Sequence, residues 1–191
     1  MKTGIRYIPA IAISTLLAFS QCEKAETSST EPDDNGNGAT TVLPLNIPDT
    51  ISRNTGEHDG SVSHPFVVTD IAQGVLGIYL LNNNESISHC WVDGYIVGYV
   101  AGTNYEHTTF EAGDVESNIV LAAHPHEDNH ERTMPVQLSK QTAYSDVRND
   151  LNLCYNPKML GRRVKICGQL TEYMGTIGLK QTTNYILYDE D

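Results

Sequence analysis

The stretch Trp91-Val92-Asp93-Gly94-Tyr95-Ile96-Val97-Gly98-Tyr99 decides the fold, because its pattern returns at Lys165-Ile166-Cys167-Gly168-Gln169-Leu170-Thr171-Glu172-Tyr173. From Val92 and from Ile166 both read apolar-x-Gly-x-apolar-x-x-Tyr. Alternation with a period of two is the mark of a strand, and a glycine inside it lets a neighbouring backbone come close while the strand bends. Two such strands, far apart in the chain, predict the sharply curved members that close a small barrel. In the first, Val92, Ile96 and Val100 fall on one face with Gly94 and Gly98, and Trp91, Tyr95 and Tyr99 fall on the other.

The segments on either side supply the remaining barrel elements. Pro65 to Gly74 predicts a short helix, Leu76 to Leu81 is an apolar run of either type, and Asn82-Asn83-Asn84-Glu85 is a turn. Cys90 to Ala101 is the first barrel strand, Ser117 to Ala123 the second and Thr133 to Ser139 the third. Asp146 to Leu160 predicts an interrupted helix, Arg163 to Tyr173 the fourth strand and Thr183 to Tyr188 the fifth. Three strands, a helix and two strands is the order of the OB-like (oligonucleotide/oligosaccharide-binding) five-stranded Greek-key barrel, so the fold class is mainly β.

The amino terminus is of a different kind. Lys2 and Arg6 precede an apolar run from Tyr7 to Phe19, which is short for a membrane span and fits a signal-peptide core, so residues 1–21 are expected to be a leader. Cys22 follows in a context resembling a bacterial lipoprotein signal, although Phe19 and Gln21 depart from the usual residues there; it is the candidate lipidation site. Residues 22–63 are rich in Ser, Thr, Asn, Asp, Gly and Pro and read as a polar, acidic tether. Residues 64–191 are long enough for one hydrophobic core. With no second long apolar run, no transmembrane helix is expected, and the lipid would hold the chain to the outer membrane, facing the periplasm or the cell surface.

The blocks Trp91 to Tyr99, Ser117 to Ala122, Met134 to Leu138, Leu151-Asn152-Leu153, Asn156-Pro157, Leu160 to Val164, Gly168 to Tyr173, Gly175 and Gly178-Leu179-Lys180 resemble a family of secreted Bacteroidetes domains. The resemblance covers about Pro65 to Asp191. It implies an OB-like barrel of unknown function, found alone in lipoproteins and beside nuclease-type domains. That nuclease domain has no counterpart in this sequence, so the resemblance carries over neither an activity nor catalytic residues.

Charge limits the choice of partner. The chain carries 12 Lys and Arg against 24 Asp and Glu, a formal net charge of −12, which opposes long-range attraction of a phosphate backbone. The distribution is uneven: residues 64–131 hold ten acids and no Lys or Arg, whereas 132–191 hold eight bases and six acids. Lys158, Arg162, Arg163 and Lys165 gather where the fourth strand begins, and Lys180 lies on the segment before the fifth. With Trp91, Tyr95, Tyr99 and Tyr173 on the barrel wall they make a candidate site, since cations beside aromatic rings suit single-stranded nucleic acid. The same rings, with Tyr105, Asp93, Gln169 and Asn184, suit an oligosaccharide. The plain alternative is a solvated surface with tyrosines packed under flanking segments, which would leave a scaffold or an envelope-protein partner.

Other chemistry is thinly represented. His124, His126 and His130, interleaved with carboxylates, could hold zinc or copper, the one cofactor the residues suggest, although a polar hairpin loop is expected there in any case. Beyond Cys22, Cys90, Cys154 and Cys167 form an odd set, with Cys90 and Cys167 on strands expected to be neighbours. Phosphate loops and nucleophile elbows are absent, and Asp93 with Glu172 is slender support for glycoside hydrolysis. The residues favour a binding module over an enzyme, with a metal-dependent hydrolase as the remaining enzymatic reading.

Overall fold

The computed structural model describes residues 56–140 and 146–189. The expected leader at 1–21, Cys22 and the tether as far as residue 55 lie outside the described residues. Seven strands appear in chain order: β1 (Phe66–Val67), β2 (Ile87–Val100), β3 (Thr108–Thr109), β4 (Asn118–Ala122), β5 (Thr133–Gln137), β6 (Arg163–Tyr173) and β7 (Thr176–Leu187). Five form the barrel, in the cyclic order β2-β4-β5-β7-β6 and back to β2, while β1 and β3 are short additions to β2. The expected OB-like architecture is present, with β5 and β7 running parallel and meeting at Val136 and Leu179.

The two glycine-bearing strands are the ones that close the ring. Cys90 to Tyr95 of β2 lies antiparallel to Arg163 to Gly168 of β6. A Cβ on Gly94 would sit 2.8 Å from Val68 Cγ2 and 3.0 Å from the Ala122 carbonyl oxygen, and one on Gly168 would sit 2.7 Å from the Lys180 carbonyl oxygen. Neither position has room for a methyl group, and the backbones converge there as the sequence pattern requires.

Bulges supply the rest of the curvature. Ile96 of β2 faces Leu121 of β4 but Gly98 faces Val120, so β2 holds one extra residue. The extra residue reverses the inside-outside alternation. Val92 and Ile96 enter the main core, but Val97 and Val100 join a second cluster with Tyr105, Val120 and Ala122. The expectation that Val100 shares a face with Val92 and Ile96 is therefore corrected. Two further irregularities, beside His89 (φ 57°) and Gln181 (φ 49°), interrupt the β2–β6 and β6–β7 ladders.

The last two strands form a tight hairpin rather than flanking a long connection. Met174 (φ 56°) and Gly175 (φ 84°) occupy the two turn positions, the left-handed pair that matches the twist of flanking strands. As a result β7 starts at Thr176, seven residues before the fifth strand was expected.

Helices seal the barrel. The segment after Pro65 first makes β1 and then α1 (Val68–Ala72), a shorter helix than expected. The ambiguous apolar run is α2 (Val75–Asn83), with Leu76 and Leu80 in the core and Asn84, in left-handed conformation, ending it. Between β5 and β6 lies α3 (Val147–Leu151), whose first turn is capped by Asp146 accepting the Asn149 N–H. Residues 56–63, tether by composition, are held to the barrel: the Gly60 carbonyl accepts the Trp91 N–H and the Val62 carbonyl accepts Lys165 Nζ.

Cys90 and Cys167 lie on paired strands, yet Cys90 faces Gly168 and Cys167 faces Trp91, so the two side chains alternate onto opposite sides of the sheet. All three described cysteines are free thiols. Burial pushes the Cys90 thiol up to about 12, which keeps it protonated. The barrel closure yields a direct expectation: Gly168→Ala, forced against the Lys180 carbonyl, destabilises the domain by ~1–3 kcal/mol in denaturant titrations, and an unchanged midpoint would contradict the close approach.

Candidate ligand-binding wall

Along the first half of β2, Trp91, Asp93 and Tyr95 point away from the core, and antiparallel pairing sets them beside outward residues of β6. Asp93 faces Lys165 and Tyr95 faces Arg163. On the other side of β6, Lys165 faces Ile186 of β7, and the Tyr188 N–H donates to the Arg163 carbonyl. Three strands thus bring an acid, two bases and three aromatic rings onto one outer face.

Asp93 organises this face. It is only 5% exposed, and a carboxylate so placed requires partners. Arg163 supplies two in the forked geometry that guanidinium and carboxylate share: Nε donates to Oδ1 at 2.8 Å and Nη2 donates to Oδ2 at 3.2 Å. Tyr188 supplies a third, its hydroxyl donating to Oδ2. The Arg163 guanidinium lies 4.5 Å from the Tyr188 ring centroid and 5.8 Å from that of Tyr95, with Lys165 Nζ 5.4 Å from the Tyr188 centroid. These are cation–π distances. Hydrogen bonding to Asp93 raises the affinity of Arg163 for its proton still further. Burial, reinforced by the bond to Asp93, pushes Tyr188 up to about 12.

The sequence-predicted residues divide into two groups. Trp91, Tyr95, Arg163 and Lys165 share the wall, and Arg162 flanks it by donating to the Tyr188 carbonyl at 2.8 Å. Tyr99 does not join them. It follows the bulge, is 9% exposed, and lies so close beneath the connection after β3 that a Cβ on Gly113 would be 2.3 Å from its ring. Tyr173 is at the other end of β6, ten residues or ~33 Å of strand from Arg163. There its half-buried hydroxyl is raised by burial and held back by Arg148. Lys180 faces Gln169, also away from the cluster. The wall is therefore built from β2, β6 and the end of β7.

Much of the expected wall is covered by the chain itself. The second hydrophobic cluster lies over the outer side of β2 and β4, with Phe110 and Met174 packed on it. Tyr105, a candidate sugar-stacking ring, is buried there and acts as a latch, its hydroxyl bonded to the His130 carbonyl at 2.8 Å and to Thr133 Oγ1. Glu172 faces Ile177 toward the hairpin tip while Asp93 is committed to Arg163 and Tyr188, so the two carboxylates do not face a common substrate.

Nor do the histidines converge. His124 lines a cavity with Thr69, Gln73 and Arg132, His126 lines a cleft with Phe110 and Leu160, and His130 lines a third space with Gln73 and Glu131. Among the described residues no group of three or more His, Cys, Asp or Glu is placed to hold a metal ion. The loop is instead folded by its own bonds, with Asn129 N–H donating to Glu127 and Glu131 N–H donating to Asn129.

Tyr188 is the member of the wall that the sequence reading did not single out. Asn184, Ile186 and Tyr188 are the outward set at the end of the chain's last barrel strand. Two measurements test the cluster. Arg163→Ala strands a buried carboxylate and costs ~1–3 kcal/mol, held to that range because the arginine side chain is 44% exposed; adding Asp93→Ala restores part of the loss, and equal stabilities of the single and double variants would contradict the lock. Because the folded pKa of Tyr188 lies above its ordinary value of 10.0, its contribution is complete below about pH 10 and is lost as the pH climbs through about 12. Phenolate absorbance should show one late-ionising tyrosine fewer in Tyr188→Phe.

No helix among the described residues is long and apolar enough to cross a membrane. No solved structure matches this chain. Endonuclease YhcR of Bacillus subtilis (strain 168) is 31% identical over 100 residues, which is 52% of this chain but 8% of that protein. The profile of a family described as "Domain of unknown function (DUF6359)" matches residues 76–188, from α2 through the last barrel strand. With more than half of its length in that match, the chain belongs to the DUF6359 family.

Proposed function

We propose that this chain is a lipoprotein of Bacteroidetes type, anchored through Cys22 in the outer membrane, whose barrel is a binding module for single-stranded nucleic acid outside the cell. The observation that carries this reading is Arg163 set between the rings of Tyr95 and Tyr188, with Lys165 on the Tyr188 side. Aromatic faces beside cations accept stacked bases without regard to sequence while the cations follow the phosphates. The lock to Asp93 holds the guanidinium in place before a ligand arrives, which lowers the ordering cost of binding. A relative named as an endonuclease is in keeping with a nucleic-acid partner.

An oligosaccharide is the second reading, favoured by one observation: a chain with net charge −12 repels phosphate but not a neutral glycan. In either case the module acts by binding, and turnover is no part of the proposal. Salt separates the two. For single strands the logarithm of affinity falls by about 0.7 per phosphate contact for each tenfold rise in salt, so one to three engaged cations give a slope of about −0.7 to −2. Fluorescence anisotropy with labelled single-stranded DNA and RNA, run beside a glycan array, is expected to show saturable, salt-weakened binding. Tyr95→Ala should weaken it by about tenfold, since stacking on one ring is worth ~1–3 kcal/mol per base. Salt-independent binding to a glycan would select the second reading, and no binding to either would leave a scaffold or envelope-protein partner.

A further inference from the structure

One cleft adjoins the wall and has no role in the barrel. Val97, Phe110, Pro125 and Leu160 line it together with the acidic pair Glu127 and Asp128. Its volume is about 340 Å³, at the small end for ligand sites, which suits one compact ring system rather than a length of polymer. The walls are apolar: Val97 is buried, Phe110 packs on the second cluster, and Leu160 is partly exposed at 38%. The cleft is joined to the wall through the backbone. The Gly161 N–H donates to the Ile96 carbonyl at 2.7 Å and the Ile96 N–H donates to the Arg162 carbonyl at 2.9 Å, while Tyr95, next in β2, faces Arg163. The wall and the cleft lining therefore share the β2 segment Tyr95-Ile96-Val97.

We propose that this cleft is a nucleobase pocket that takes one unstacked base and prefers guanine. The inference rests on the single-strand reading above. Apolar walls with Phe110 among them receive the flat faces of a base. The lining carboxylates set the choice of base. One Glu127 oxygen already accepts the Asn129 N–H, and Asp128, also in the lining, is exposed, an acceptor-only group available to a base edge. Guanine offers two adjacent N–H donors, N1–H and the 2-amino group, to the two oxygens of one carboxylate. Thymine and uracil offer one N–H flanked by two carbonyls, which a carboxylate repels. The same acidity keeps phosphate out of the cleft, so a strand that enters does so by its base, with its backbone left on the Arg162, Arg163 and Lys165 side.

The test uses the full chain and labelled oligothymidylate octamers in which one central base is dT, dA, dC or dG. The octamer with dG is expected to bind about tenfold more tightly than all-dT. Asp128→Asn, an exposed substitution, should abolish that increment, bringing the dG and all-dT octamers to equal affinity within the variant, while Tyr95→Ala should weaken every octamer alike. Equal affinity for the four octamers, or a dG preference that survives Asp128→Asn, overturns the pocket and leaves the wall standing. Failure of all four to bind overturns the single-strand reading and the pocket with it.

Discussion

The buried carboxylate of Asp93 is the constraint on which the candidate site depends. It stands on β2 where the barrel closes, and its three hydrogen-bond donors come from β6 and from the end of β7. A carboxylate that is 5% exposed tolerates no missing partner, so Arg163 and Tyr188 are fixed by the demand of Asp93 before any ligand is considered. Position follows from that demand. Tyr95 and Lys165 come into range of the same guanidinium and ring because they neighbour Asp93 and Arg163 on the paired strands. One polar lock thus joins the residue that follows β7 to β2 and, in the same act, sets rings and cations on a common face.

How far the sequence discloses this depends on what interrupts its periodicity. From Val92 to Ile96 the alternation is regular, Gly94 marks a close approach, and the faces assigned to Trp91 and Tyr95 agree with the structure. Past Ile96 one extra residue reverses the assignment. Nothing in Val97-Gly98-Tyr99 announces a bulge, because Gly98 reads equally as an alternating member of the strand. Tyr99 was misplaced on the wall for that reason, and Tyr105 because a ring in a polar connection gives no sign that it folds back as a latch.

A different ambiguity hid β7 and α2. Met174-Gly175 makes a turn usually written Asn-Gly or Asp-Gly, so the hairpin lacked its usual sign and the start of the last strand slid to Thr183. In α2, Val75, Ile78 and Leu81 are exposed apolar residues on a helix whose buried side is apolar as well. A helix apolar all round has no moment to declare its type. Tyr188 illustrates the deeper limit: its parity with Ile186 was visible, but its partner is Asp93, far away in the chain, and only the strand order β2-β6-β7 brings the two together.

The same strand order bears on the puzzle of an acidic chain with a cationic candidate surface. In sequence the charges are segregated, ten acids without a base over residues 64–131 and eight bases over residues 132–191. Closure of the barrel lays the base-rich start of β6 along β2, where Asp93 neutralises one guanidinium and fixes it on the wall. What a ligand meets is the local field, since charges more than about 10 Å away are largely screened at 0.1 M salt. The net charge of −12 then opposes the approach of every polyanion alike, most strongly at low salt. Stacking has to supply what long-range attraction does not, and for that reason the rings, more than the cations, are the part of the wall on which the proposed function turns.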